Sequence, residues 1–378
     1  MSINDHSRLF LAAFTATCFS ITLAGCSAQP SAATDHENRI LIRGVYGTPQ
    51  PLWDKGHSLP ALGVNAVFMH HQSITPAIMQ RAASEGIPVY AEFATLNGKG
   101  YVEKHPEAWA IDEQGKRVEQ ATWFMGVCPT EPGFRGYRKQ ELRRLLNTHN
   151  IAGVWMDYLH WHAQFEDPAP ILPETCFCSS CLKTFEKFAA LQIPEGDAKT
   201  RASWILENQE TTWRNWRTSV IADWIRDFRK IINEEKPGIL LGIYHCPWND
   251  DEYGGARRSI LGLDYDSLKN LADVFSPMVY HGRMVREAEW VKDNIEWFSK
   301  RLPSGKNGRP MIWPIVQAYD EPRPIGPEEF EAVLRFGAAG RSTGVMMFTT
   351  NAVAGNPEKT ETLRSVYTEW KNEKAGRK

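Results

Sequence analysis

The chain has 378 residues, of which 42% are hydrophobic, and its formal net charge is −2 at pH 7. This composition allows a sizeable core, and the length fits one large α/β barrel or two ordinary domains. The charge is balanced and no long block of like charge occurs, so the sequence does not favour a nucleic-acid partner.

The first 25 residues have the pattern of a secretory signal. Arg8 precedes an apolar stretch that ends at Leu23, and a cationic region followed by an apolar one is typical of such signals. The stretch is too short and too rich in Ser and Thr for a membrane span. We therefore interpret residues 1–25 as a signal peptide, 26–38 as a polar flexible tether and 39–372 as the folded domain.

The signal ends in Leu23-Ala24-Gly25-Cys26, which resembles the lipobox of bacterial lipoproteins. In that family the cysteine is acylated, so the resemblance implies that Cys26 anchors the protein to a membrane. Ser27 stands where a sorting Asp would otherwise lie, which favours the outer membrane. The resemblance thus implies a lipid-anchored protein of the bacterial cell envelope, outside the cytoplasm. An ordinary signal followed by a chance cysteine is the alternative.

Past residue 39, eight short runs rich in β-branched and aromatic residues alternate with longer amphipathic segments. Most runs are apolar along nearly their whole length, which is typical of parallel strands that are covered on both faces. We predict strands at 40–46, 64–70, 89–93, 154–158, 239–244, 274–280, 311–317 and 345–349. Eight strand–helix repeats predict a single (β/α)8 TIM barrel.

Helix signals occur between these strands. Thr75-Pro76 is a good start signal, and helices are predicted at 75–85, 134–147, 213–235 and 327–337. Residues 159–210 form a long insertion after strand four. A doubly wound open sheet is the alternative fold. No Gly-rich phosphate loop follows the first strand, however, so we expect no dinucleotide or other organic cofactor.

Polar residues collect where the predicted strands end, and in a barrel the chemistry lies at the C-terminal ends of the strands. Six of the eleven histidines occur at these positions. We therefore predict that the substrate binds at this rim. The predicted substrate-binding residues are His70, His71, Tyr158, His160, Trp161, Tyr244, His245, Tyr280, His281, Arg283, Gln317 and Asp320.

Asp157 is the strongest catalytic candidate because it places a charge at the end of an apolar strand. A buried carboxylate is costly unless it is paired or faces a cleft, and such carboxylates often mark functional sites. A structural Asp that binds backbone or a rim side chain is the alternative. Hydrolysis by carboxyl groups often requires a second one, so that one acts as acid and the other as base or nucleophile. We predict Glu92 or Glu321 for that role, with Asp320 and residues 250–252 as further candidates.

Three cysteines form the C-x-C-x-x-C run Cys176, Cys178 and Cys181. Three thiols this close cannot all pair with one another, but they can share one tetrahedral metal, for which Cys128 is the best fourth ligand. Five thiols remain if Cys26 is lipidated. Four metal ligands plus a buried Cys246, or two disulfides plus one free thiol, both fit this count, and an oxidising compartment allows disulfides.

The cysteine set resembles the structural zinc site of glycoside hydrolase family 42, the barrel beta-galactosidases. In that family a cysteine in a Cys-Pro-x-x-Pro-like segment joins a later C-x-C-x-x-C run just after strand four. The resemblance implies a structural zinc ion held by Cys128, Cys176, Cys178 and Cys181. Residues 40–350 also look like a broader group of glycosyl-hydrolase-like barrels, which implies hydrolysis of a glycosidic bond in an oligo- or polysaccharide.

Two departures from family 42 prevent a transfer of galactosidase activity. That family has an Asn-Glu pair at strand four, where this chain has Met156-Asp157, and a nucleophilic Glu at the end of strand seven, where it has Gln317. Gln317 leaves open a catalytically inactive, carbohydrate-binding lipoprotein. A metal hydrolase that uses the rim histidines is a third alternative, although His160-x-His162 is its only close pair after strand four.

Overall fold

A computed structural model of the protein describes residues 40–302, 308 and 310–373. The predicted signal peptide, the tether and Cys26 lie outside the described residues. No helix within the described ranges is both long and apolar enough to cross a membrane.

The described part of the chain contains one closed sheet in which all strand pairs are parallel. Its strands are β1 (Ile42–Tyr46), β2 (Ala66–His70), β3 (Val89–Ala94), β4 (Gly153–Asp157), β5 (Leu240–His245), β6 (Val274–Val279), β7 (Met311–Ile312), β8 (Ile315–Gln317) and β9 (Gly344–Phe348). Trp313 and Pro314 separate β7 from β8, which together occupy one strand position next to β6. Pairing of β1 with β9 closes the sheet, which confirms the eight-stranded barrel and excludes the open sheet.

Helices surround this barrel. The α-helices are α1 (Gln50–Asp54), α2 (Pro76–Ser84), α3 (Lys99–Val102), α4 (Pro132–Thr148), α5 (Ser179–Ala189), α6 (Ala198–Asn208), α7 (Glu210–Glu235), α8 (Ala256–Ser259), α9 (Tyr265–Leu268), α10 (Glu289–Arg301), α11 (Pro327–Gly337), α12 (Thr350–Ala354) and α13 (Pro357–Asn372). Short 3-10 helices occupy Pro60–Leu62, His71–Ser73, Pro106–Ala108 and Glu252–Gly255.

The four predicted helices correspond to α2, α4, α7 and α11, and the insertion after strand four contains α5 and α6. The Thr75 hydroxyl accepts a hydrogen bond from Ile78 N at 3.3 Å, so the predicted start of α2 is a genuine N-cap.

An aromatic layer fills the barrel interior below its C-terminal end. Trp155 stacks on Trp313 with ring centroids 5.5 Å apart, and Phe68 and Tyr90 pack edge-on against Trp155. Gly242 leaves room for the indole, because a Cβ there would lie 2.2 Å from Trp155 Cε2. Side chains alternate along a strand, so Glu92 and Asp157 share the interior face with Tyr90 and Trp155, nearer the C-terminal rim. The two carboxyl groups therefore lie one step along their strands from the aromatic layer, towards the C-terminal rim.

Candidate active site

A cavity of about 390 Å3 opens at the C-terminal ends of the strands. Three carboxyl side chains line it: Glu92 from β3, Asp157 from β4, and Glu166 from the insertion after β4. The other polar and aromatic side chains that line it are Tyr46, His70, Asn97, Trp123, Tyr158, Tyr244, Tyr280, Arg283, Tyr319 and Phe348. This combination of acids and aromatic rings is concentrated in one concave site.

Glu92 and Asp157 form a hydrogen-bonded carboxyl pair. The pairing of β3 with β4 sets Ala94 beside Asp157, so Glu92 lies one interior position below it. The Tyr46 hydroxyl donates a hydrogen bond to Glu92 Oε2, and Tyr158 N donates one to Asp157 Oδ1 at 2.8 Å. Both carboxyl groups are therefore held in fixed orientations before any substrate binds.

The pair shares one proton. Burial raises the pKa of Glu92, and the neighbouring charge of Asp157 raises it further. Burial also raises the pKa of Asp157, but hydrogen bonds from Tyr158 N and from Glu92 oppose that rise. Two adjacent buried carboxyls cannot both ionise cheaply. The proton therefore resides on Glu92, which donates it in a hydrogen bond to an ionised Asp157.

Tyr158, directly after Asp157, has an unusual backbone conformation. Its φ is 49°, in the left-handed region, which costs a non-glycine residue roughly 1–2 kcal/mol. Its ring stacks on Phe124 with centroids 5.3 Å apart, and its hydroxyl hydrogen-bonds the Trp123 side chain. This left-handed residue directly follows Asp157, and such local strain is concentrated at functional sites.

Glu166 is the third acid of the cavity, and the sequence interpretation missed it. Its side chain is mostly buried, and burial raises its pKa to about 8; the charge of Asp157 acts in the same direction, whereas Arg283 lowers it. The Arg283 Nε lies 3.7 Å from Glu166 Oε2. Glu166 is therefore protonated at neutral pH. The only sequence signal was an acidic pair, Glu166-Asp167, inside the insertion that follows β4.

Arg283 connects both sides of the cavity mouth. Its guanidinium lies 4.2 Å from the ring centroid of Trp123, and its Nη2 lies 3.2 Å from Asp167 Oδ1. It also hydrogen-bonds the Tyr319 side chain. The Trp123 indole remains 37% exposed. A partly exposed, clamped indole offers a flat apolar face on which a sugar ring can stack.

The structure brings five of the predicted substrate-binding residues into this cavity: His70, Tyr158, Tyr244, Tyr280 and Arg283. Burial lowers the pKa of His70 to about 4, so its ring is neutral near pH 7.

The other predicted rim histidines bind neighbouring protein groups. The Nδ1 atoms of His160 and His245 donate to the carbonyl oxygens of Trp161 and Cys246, each at 2.7 Å. His281 Nε2 lies 2.7 Å from Glu329 Oε1, and His71 Nε2 lies 3.2 Å from Glu141 Oε1. A ring that directly follows a strand can turn to the adjacent backbone instead of the cavity. None of these four lines the 390 Å3 cavity.

Four further predicted residues also lie outside the cavity lining. Trp161 is buried and donates to Arg217 O at 3.1 Å, and Asp320 pairs with Lys359 at 2.7 Å. The Gln317 amide nitrogen donates to the carbonyl oxygens of Tyr319 and Glu321 at 3.0 and 2.7 Å. The side chain of Glu321 is exposed to solvent. Gln317 thus shapes the turn after β8, and the other candidate acids, Asp250 and Glu252, pair with arginines.

The four cysteines predicted as ligands form a separate cluster. Cys128 precedes α4, Cys178 caps α5, and all four Sγ atoms lie within 4.8 Å of one another. Each is a free thiol, and Cys128 Sγ lies 3.5 Å from Cys178 Sγ and 3.4 Å from Cys181 Sγ. No other group of His, Cys, Asp or Glu within the described ranges has a geometry that could hold a metal ion. The cluster could hold one ion, and it links the segment before α4 to the insertion after β4.

No protein-family model and no curated protein matches this sequence. Solved structures do resemble the fold. A beta-galactosidase from the psychrophilic Marinomonas ef1 aligns with a TM-score of 0.61 and 13% identity over 87% of this chain and 59% of its own. The glycoside hydrolase domain of PgaB (BpsB) from Bordetella bronchiseptica aligns with a TM-score of 0.60 and 13% identity. The alignment covers 84% of this chain and 92% of that domain.

The catalytic domain of beta-amylase from Paenibacillus polymyxa gives a TM-score of 0.58 and 9% identity over 86% of this chain and 97% of its own. The chain thus spans about three fifths of the beta-galactosidase but most of the other two domains. These neighbours are glycoside hydrolase TIM barrels, and at these identities the likeness concerns the fold.

Proposed function

We propose that this protein hydrolyses a glycosidic bond in an oligo- or polysaccharide. The observation that carries the proposal is the cavity that holds an ionised Asp157 together with a protonated Glu166. Glycosidases use two carboxyl groups in different protonation states. The fold neighbours, whose names describe glycoside hydrolases, support the same reaction class.

In this mechanism each acid has one role. Glu166 donates its proton to the departing glycosidic oxygen, and Asp157 acts on the anomeric carbon, either directly or through a water molecule. Glu92 is a positioning residue, because its proton and the Tyr158 N–H hold the Asp157 carboxylate. The Trp123 indole supplies a stacking face for a sugar ring.

The site has a second carboxyl group although Gln317 stands where a catalytic Glu would be expected. Its side chain is fully buried and serves the turn after β8, while Glu166 supplies the second acid from a different element. This observation favours an active hydrolase over the inactive carbohydrate-binding alternative.

An activity screen of the purified full-length chain against a glycan panel tests the proposal. Wild-type protein should release new reducing ends from at least one glycan, and Asp157→Asn should lower that rate by about a hundredfold or more, the usual scale for a general acid–base group. A broad panel on which wild type and variant give the same background rate would contradict the proposal and favour the binding-only alternative.

For the cysteine cluster we propose a structural zinc ion. A tetrahedral zinc with Zn–S bonds of about 2.3 Å separates its sulfur atoms by about 3.8 Å. The observed separations of 3.4 and 3.5 Å, with all four sulfurs within 4.8 Å, fit that size. Four thiolates would fill the coordination sphere, so the ion would stabilise the insertion and take no part in hydrolysis.

We also propose that the protein is a lipoprotein of the bacterial cell envelope. The proposal depends on Leu23-Ala24-Gly25-Cys26 and the preceding cationic and apolar segments. The polar tether over 26–38 would then hold the barrel outside the cytoplasm and leave its cavity accessible to glycans.

A further inference from the structure

A second groove adjoins the catalytic cavity. It has a volume of about 630 Å3, and it shares four wall residues with that cavity: His70, Ala94, Asn97 and Trp123. The groove and the catalytic cavity are therefore direct neighbours, so a glycan chain that has one sugar beside Asp157 and Glu166 lies close enough to place the next sugars in the groove.

The charge of the groove differs from that of the catalytic cavity. Three acids line the cavity, whereas no carboxylate lines the groove. Instead Lys99, Lys104, His105 and Arg138 contribute to its walls. The segment from the end of β3 to α4 supplies all four of these side chains, of which Lys99, Lys104 and Arg138 are cationic.

Two of these charges have no counter-ion. Arg138 pairs with Glu141 Oε2 at 2.5 Å, so its charge is partly balanced, and the His105 ring lies 3.4 Å from Glu107 Oε1. The ammonium groups of Lys99 and Lys104 form neither an ion pair nor a hydrogen bond with any described residue. Both lysines are exposed. Among the described residues, the positive charges of Lys99 and Lys104 in the groove are thus left uncompensated.

Aromatic rings lie beside these lysines. Tyr101 packs against Tyr137 with centroids 5.4 Å apart, and Tyr137 is 39% exposed. The exposed Trp123 indole lies at the junction with the catalytic cavity. Exposed rings suit the apolar faces of sugars, while uncompensated ammonium groups suit anions.

We propose that this groove is a subsite for an acidic sugar residue, whose carboxylate or sulfate group binds Lys99 and Lys104. The inference rests on the proposed hydrolase function and adds to it a substrate class, the anionic glycans. The ionised Asp157 of the catalytic cavity repels an anionic group there, so the glycan lies with its charged substituent in the groove and its scissile bond at the acids.

The test measures binding separately from turnover. Full-length Asp157→Asn protein, which prevents hydrolysis, is titrated calorimetrically with a uronic-acid oligosaccharide, a sulfated oligosaccharide and a neutral oligosaccharide of equal length. At least one acidic ligand should bind more tightly than the neutral one, and its affinity should fall with rising salt because exposed charges are screened. The acidic ligand that binds identifies carboxylate or sulfate as the recognised group.

Adding Lys99→Ala and Lys104→Ala should lower the acidic ligand's affinity roughly tenfold, the scale of two exposed charge contacts, and should not change binding of the neutral ligand. Lys99→Arg with Lys104→Arg should retain most of the affinity. The matched control replaces Lys55 and Lys371, two exposed lysines outside both grooves, with Ala and should have no effect.

Equal binding of acidic and neutral ligands, undiminished acidic binding in the double Ala variant, or equally tight binding of a single-stranded oligonucleotide would overturn the inference. Efficient wild-type hydrolysis of neutral glycans with no acidic preference would also overturn it, while leaving the hydrolase proposal intact. Selective acidic binding without hydrolysis of any glycan would support the subsite and contradict the hydrolase proposal.

Discussion

Replacing Glu166 with Gln tests the role of the acid that only the structure revealed. The substitution keeps the size of the side chain and its contacts but removes the transferable proton. Gln also removes a group whose charged form is disfavoured by burial and by Asp157. We therefore expect the variant to fold at least as stably as wild type.

The acids of the cavity determine how much activity Glu166→Gln should lose and how that loss should depend on pH. Removing a general acid costs about 10²–10⁴-fold in rate. The acid form of Glu166 is the active form, so wild-type kcat/KM should decline as pH rises through its pKa of about 8. Asp157 must be ionised, so activity should also decline as pH falls through its pKa, which burial raises above the usual value. The wild-type profile should therefore be bell-shaped.

The assay is kcat/KM against pH on an active glycan, with wild type and Glu166→Gln measured together. The variant should lose the alkaline limb, and its deficit should shrink on an aryl glycoside whose leaving group needs no proton. Glu321→Gln is the matched control, because Glu321 is an exposed carboxylate outside the cavity lining. A Glu166→Gln enzyme that keeps full activity and the alkaline limb, or a comparable loss in the control, would refute this assignment.

The other predictions concern Asp157, the cysteines and the anchor. Asp157→Asn should retain the wild-type melting temperature or exceed it at pH 7, because it removes a charge whose pKa burial has raised; a large fall would indicate a structural role. Purified protein should contain about one zinc per chain, and Cys181→Ser should lose it and melt about 6 °C lower, as a loss of roughly 4 kcal/mol predicts for a domain of this size; metal-free wild type with disulfides at these cysteines would contradict this. Cys26→Ser should move the protein from the membrane to the soluble fraction, and a fully membrane-bound variant would exclude lipidation.

The stability of the folded protein should depend on pH through the Glu92–Asp157 pair. Glu92 and Asp157 both have pKa values above those of ordinary carboxyl groups, so the folded protein binds protons more tightly than the unfolded chain there. The pair therefore reduces stability at neutral pH. This cost declines as pH falls below the raised pKa values and is gone only below the ordinary carboxyl pKa of the unfolded chain. Such a cost fits a site in which pre-organised charge serves catalysis.

The sequence by itself determined the barrel and the elements that carry its chemistry. Apolar runs at regular separation specified parallel strands, because a strand covered on both faces must be hydrophobic along its length. Asp157 was visible for the same reason, since it interrupts such a run. The C-x-C-x-x-C spacing brought three thiols together through local geometry, and Cys128 completed the cluster on the basis of a family resemblance.

The tertiary structure decided which polar residues face the cavity. His160 follows β4 and His245 ends β5, near the rim as the sequence suggested, yet their rings bind adjacent carbonyl oxygens. Glu321 follows β8 but points to solvent, whereas Glu166, in an insertion with no regular pattern, reaches the cavity. The path of a loop and the direction of its side chains depend on long-range packing and on where buried polar groups find partners. The local periodicity from which strands and helices are predicted contains no information on loop paths or side-chain directions. The second acid, Glu166, could therefore be identified only from the tertiary structure.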